Sequence, residues 1–218
     1  MVIARIARRL GVGSAATLVC ALASLAGSCA VELPERAMFA SERCKVRVDT
    51  AAGVDALELV AILSMTTASG ADDEAGVARA RAIEMAVSNA NDRQGVLGRT
   101  FRLRICDAGN TTASPALSAA EIAQSVTTGP RPPAALLSGG TDETLAIQAA
   151  VQGQDVLVMS ISATSPDVTG ADPLLWRVAP SDRNQGLALS YLLQKSGAKK
   201  VVVLARANSY GDGLSAVL

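Results

Sequence analysis

The chain has 218 residues, half of them apolar, and its 20 Lys and Arg balance its 20 Asp and Glu. It contains no histidine, which excludes a Ser-His-Asp or Cys-His catalytic set and removes the commonest metal ligand. No basic stripe is present, so nucleic acid is not an expected partner. The aromatic residues are Phe39, Phe101, Trp176, Tyr191 and Tyr210, so the core has to be built from Ala, Val and Leu.

The chain opens with Arg5, Arg8 and Arg9, followed by an uncharged small and apolar run from Leu10 to Gly27. That is the pattern of a bacterial export signal over residues 1–30, to be set apart from fold reasoning. Ala26-Gly27-Ser28-Cys29 resembles a lipobox, which makes Cys29 a candidate lipidation site. Cleavage after Ala30, at a Ser-x-Ala pattern, is the competing reading. Four cysteines are present: Cys20, Cys29, Cys44 and Cys106. No C-x-x-C spacing occurs, so the usual zinc and thioredoxin-like patterns are absent. With Cys20 and Cys29 in the signal, a Cys44–Cys106 disulfide is the natural pairing in an oxidising compartment.

Residues 31–56 are charged and mixed, and read as a linker and irregular lead-in. Leu57 to Leu63 is an apolar strand, followed by a loop of hydroxyls, Gly and acids. Val77, Ala80, Ile83, Val87 and Ala90 recur at helical spacing, so a helix is expected from Glu74 to Asp92. Thr100 to Cys106 alternates as a strand. Asp107 reads as a turn-forming residue. Pro115 suits the first turn of a helix through Val126.

The organising stretch is Ala134 to Thr169. An apolar run, Ala134–Leu137, is broken by Ser138-Gly139-Gly140. Thr141 or Asp142 can cap the helix that follows. Gly153 ends that helix, and Val156–Met159 is a second buried run. A βαβ unit of this kind makes its strands parallel. Ligands bind outside the carboxyl ends of such strands, and the two loops at that edge, Ser138–Thr144 and Ser160–Pro166, are rich in hydroxyls and poor in charge. Beyond them the sequence predicts a strand at Leu174–Val178, a helix at Gln185–Ser196, a buried strand at Val201–Leu204, a polar turn at Asn208–Gly211, and a helix from Gly213. The alternation makes the fold α/β with a parallel sheet. Ser196-Gly197-Ala198-Lys199 matches the S-x-x-K of serine acyl enzymes, but a glycine helix stop followed by basic residues accounts for it better. No phosphate-binding glycine motif is present, and no cofactor is expected.

With these elements placed, the chain resembles the type I periplasmic binding proteins, specifically the leucine/isoleucine/valine-binding family of ABC importers. The matching runs, in order, are Glu84-Met85-Ala86-Val87 with Asn91, Gly95-Val96-Leu97-Gly98-Arg99, Cys106-Asp107, Gly139–Thr144, Ser162-Ala163-Thr164-Ser165-Pro166, Trp176–Asp182, and Tyr210-Gly211-Asp212-Gly213. The resemblance implies a three-layer first lobe over residues 57–180, a crossover near Ala179–Arg183, and the start of a second lobe over 181–218. The family's second lobe is longer, so the chain reads as truncated. The resemblance also implies a ligand carboxylate at the start of the helix after Gly140. Thr141, Ser162 and Thr164 would line one wall, with accessible hydroxyls, and Tyr210 would cover the ligand from the second lobe. Asp142-Glu143 departs from the family's usual Ser-Ser. The implied function is an exported solute-binding protein capturing an amino acid or amide for a membrane permease, with no chemistry performed. It reaches the membrane only through a lipid anchor. A sensing receptor ectodomain of the same fold is the alternative.

Overall fold

A computed structural model describes residues 42–50, 55–109, 114–129 and 131–218. The export-signal expectation for residues 1–30, with Cys29 and both cleavage readings, and the first part of the lead-in lie outside the described residues. The elements are β1 (Cys44–Val48), β2 (Leu57–Leu63), α1 (Glu74–Asp92), β3 (Phe101–Asp107), α2 (Pro115–Thr127), β4 (Ala135–Ser138), α3 (Thr141–Ala150), β5 (Leu157–Ser160), β6 (Leu175–Arg177), α4 (Asp182–Lys195) and α5 (Ser209–Ser215).

The strands form a single sheet in the order β1-β3-β2-β4-β5-β6. β2 to β6 are mutually parallel where they pair, and β1 joins β3 antiparallel. The parallel set is wound outward in both directions from β2, so its order reverses between β2 and β4. That is the topological switch point at which ligands settle in open α/β sheets. The register brings Leu63 level with Asp107, Ile62 with Ser138, Ser138 with Ser160, and Ser160 with Arg177. These residues mark the carboxyl edge of the sheet.

Period-two alternation splits the core into two clusters, one on each face. Val60 and Ile62 of β2 pack with Leu136 and Val158 against Ala119, Ile122 and Ala123 of α2 and Ile147 of α3. Ala61 and Leu63 face the other way, with Leu103 and Ile105, against Ala80, Ile83 and Val87 of α1. The helical spacing expected for α1 is therefore the face that it buries. The Asn91 side chain ties the end of α1 to β3, accepting from Phe101 N at 2.7 Å and donating to Phe101 O at 2.8 Å. Gly76 lies where α1 meets the end of β2, and a Cβ there would stand 1.8 Å from Ser64 O. Among the described residues no helix is long and apolar enough to cross a membrane.

Four expectations need correction. The lead-in is not wholly irregular, because Cys44–Val48 forms an edge strand on β3. That strand brings Cys44 into register with Cys106, and their sulfurs are bonded, as expected. The expected strand at Val201–Leu204 does not form: the segment has no strand partner among the described residues and lies exposed. A strand needs a neighbour for its N–H and C=O groups, and apolar composition alone does not supply one. Tyr210 lies on α5 rather than in a turn, because Asn208 caps that helix by accepting from Gly211 N at 3.0 Å. Neither Thr141 nor Asp142 is the N-cap of α3. Gly140 holds that position, and its N–H donates at 3.0 Å to the Glu143 carboxylate reaching back from the first turn.

Candidate ligand-binding site

The carboxyl edge is held by a buried hydroxyl network that follows from the sequence of the two loops. Ser138, Thr144 and Ser160 are all fully buried. Thr144 Oγ1 lies 2.7 Å from Gly140 O, 2.8 Å from Ser138 Oγ and 2.9 Å from Ser160 Oγ. Ser160 Oγ donates to Gly139 O at 3.0 Å and accepts from Ala163 N at 3.0 Å. Small hydroxyl residues at the ends of β4 and β5 thus cross-link the Gly139-Gly140 turn to the Ser160–Ser165 loop. Buried polar groups that are mutually satisfied in this way fix a single geometry.

Glu143 joins this network from the β2 side. It accepts from the N–H and hydroxyl of Ser64 and from Gly140 N. Its carboxylate is consumed by the protein's own donors and closes the switch point between β2 and β4. Asp142 is turned to α5, accepting from Ser209 N at 3.0 Å. The N–H groups of Thr141, Asp142 and Glu143 have no acceptor within their own helix, as for any first turn.

A cleft of about 1090 Å³ opens above this edge. Thr141, Ser162, Thr164 and Tyr210 all line it, so the structure brings together the four residues singled out from the sequence. Thr141 is only 5 % exposed, less accessible than expected, because Asp142 next to it docks the start of α5. Among the described residues its hydroxyl has no hydrogen-bond partner, and the Ser162 hydroxyl is buried without one. Thr164 Oγ1 donates to Asp182 Oδ2 at 2.8 Å, and Asp182 N donates back to Thr164 O at 2.8 Å. Arg177 clamps the same loop through the carbonyls of Thr164 and Ser165.

Asp182 is the residue that sequence reasoning passed over. It lines the cleft, is 2 % exposed, and has no Lys or Arg in ion-pair range among the described residues. A buried carboxylate usually has a cation to meet it. Its signal was the Ser181-Asp182 cap and first turn of α4, just beyond the strand end.

The cleft therefore presents two complementary poles. The first turn of α3 offers N–H groups and the positive end of a helix dipole to an anion. Thr164 and Asp182 offer acceptors and a negative charge to a cation.

Comparison with known proteins decides the family. Residues 60–218 match the family model described as periplasmic binding protein. The chain belongs to the periplasmic binding protein family. Its lobe is the mostly parallel α/β type of that family. Solved periplasmic binding proteins of similar fold include the branched-chain amino acid transporter substrate binding protein LivJ from Streptococcus pneumoniae in complex with isoleucine. It has a TM-score of 0.61 at 23% identity, over 75% of this chain and 45% of that one. The ABC transporter substrate-binding protein from Desulfitobacterium hafniense in complex with Leu has a TM-score of 0.57 at 23% identity, over 75% and 46%. The leucine binding protein LivK from Thermotoga maritima has a TM-score of 0.57 at 24% identity, over 74% and 44%. The chain spans less than half the length of these structures. No curated protein matches it.

Proposed function

We propose that this periplasmic binding protein captures a small zwitterionic ligand, an amino acid or a close amide, for the permease of an ABC importer, and performs no chemistry. The observation that carries the reading is the pair of opposed poles in one cleft. The α-carboxylate would sit on the first turn of α3 beside Thr141. The ammonium would sit between Thr164 and Asp182, with the Thr164 proton already donated to Asp182 and its lone pairs free to accept. Ser162 would supply a further hydroxyl, and Tyr210 would cover the ligand from α5. The resemblance to the leucine/isoleucine/valine-binding family, and the leucine and isoleucine bound to two of the structures of similar fold, support an amino-acid ligand. We assign residues 57–180 to a first lobe and residues from 181 onward to the opening of a second. Export to the periplasm, with cleavage before Cys29 and lipidation there or cleavage after Ala30, completes the proposal.

Calorimetric titration with a panel of amino acids and amides tests it. Thr164→Val keeps the shape and removes the hydroxyl, and should weaken binding by about 0.5–1.5 kcal/mol, or about 1.5–3 kcal/mol with a charged partner. Asp182→Asn should weaken amino acids more than their des-amino analogues. Equal loss for both, or none, would count against the assignment of the ammonium.

A further inference from the structure

The proposed poles account for a ligand's α-amino and α-carboxyl groups and leave the rest of the cleft to be explained. Five carboxylates line it, those of Asp73, Asp142, Glu143, Asp182 and Asp212. Each sits at the cap or first turn of a helix, where a negative charge is stabilised by the helix itself. Four of them also accept hydrogen bonds from this chain: Asp73 from Gly76 N, Asp142 from Ser209 N, Glu143 from Ser64 and Gly140, and Asp182 from Thr164. The acids thus have local roles in holding the helix ends.

The cations do not. Arg79 and Arg206 line the same cleft. Among the described residues neither guanidinium makes an ion pair or a hydrogen bond, although five carboxylates share the cavity with them. Arg206 is exposed, and water accounts for it. Arg79 is different: it is partly buried, on the second turn of α1, beside the buried Ala80 and one turn beyond the close approach of Gly76 to Ser64. A guanidinium presents its donors in a planar fork that matches a carboxylate.

We propose that Arg79 receives a second, distal acidic group of the ligand, so that the cleft selects an amino acid with a carboxylate side chain. This rests on the amino-acid reading above and extends it. The α-carboxylate goes to α3, the ammonium to Asp182, and the side-chain carboxylate to α1 on the far side of the β2–α1 loop. A leucine side chain would leave the guanidinium of Arg79 desolvated and unpaired, and a lysine side chain would repel it.

The test is titration of the purified 218-residue chain with L-glutamate, L-leucine, L-lysine and glutarate, followed by amide NMR shifts. It is repeated on Arg79→Met and Arg79→Lys, with circular dichroism to verify folding. Glutamate should bind tighter than leucine or lysine by about tenfold or more, the worth of one charged hydrogen-bonded pair. Arg79→Met should abolish that preference, and Arg79→Lys should keep part of it. Should Arg79→Met not fold, the ranking on the unmodified chain and on Arg79→Lys decides. Leucine or lysine binding as well as glutamate, or an unchanged preference in Arg79→Met, overturns the proposal. Glutarate binding while no amino acid binds would leave Arg79 as an anion receiver and overturn the amino-acid reading. No response to any of the four overturns both.

Discussion

Leu103 and Leu204 each belong to a short segment that reads as a strand, the first alternating and the second a continuous apolar run, and they end in opposite situations. Leu103 is fully buried, flanked in register by Leu59 on one side and by Val48 on the other. Leu204 is 95 % exposed, in a segment without a strand partner among the described residues. The difference lies in the neighbours. From Cys44 to Arg177 every strand finds a ladder, and the helices cover the faces so formed. From Asp182 onward two helices dock on the edge of that sheet, α5 through Asp142 and through Gly213, where a Cβ would meet Ser165 Oγ at 2.3 Å. The apolar face that Val201–Leu204 would offer to a sheet meets no strand among the described residues.

The two regions should respond differently to mutation and to reduction. The largest effect expected is loss of the Cys44–Cys106 link, which spans a sequence separation of 62. Reduction, or Cys106→Ala, should cost about 4 kcal/mol in urea unfolding by the loop-closure account. A loss below about 1 kcal/mol would mean that β1 holds its place without the bond. Next, Ile62→Ala in the fully buried core should cost about 2–5 kcal/mol, whereas Leu204→Ala should stay within about 0.5 kcal/mol. Equal costs would show that the late run is buried after all. Glu143→Gln replaces an acceptor of three donors by a group with one acceptor oxygen, and about 1–3 kcal/mol of stability should go with it. Asp142→Ala should have the smallest effect on global stability, about 1 kcal/mol or less, yet it should speed hydrogen exchange at the Ser209 amide by releasing α5. Unchanged exchange there would mean that packing, and not Asp142, docks α5.

The central lobe was legible because its signals are local. The bounds of β2 and α1 follow from an apolar run and a helical spacing, and α2 starts at Pro115 as expected. What could not be read are features set by distant residues. β1 carries Lys45 and Arg47 in five residues and looks irregular until β3 and the disulfide are beside it. Glu143 stands where the resemblance has Ser, and nothing local gives it a role, but it lies within reach of Ser64, 79 positions away in sequence, and so becomes a cap. Asp182 and Arg79 look like ordinary helix surface, and only the fold turns them toward the same cleft as Thr141, Ser162, Thr164 and Tyr210. Val201–Leu204 has the composition of a strand and, among the described residues, lacks the partner that would make it one.

The central claim is that the hydroxyl-lined edge above β4 and β5 is where a ligand is held. Its most direct test is an assigned amide NMR spectrum of the chain titrated with L-leucine and L-glutamate. The account predicts the largest shifts at the amides of Thr141–Thr144 and Ser162–Ser165, weakened in Thr164→Val, with β1 and Val201–Leu204 nearly silent. No saturable shift, or shifts centred away from those two loops, would contradict it.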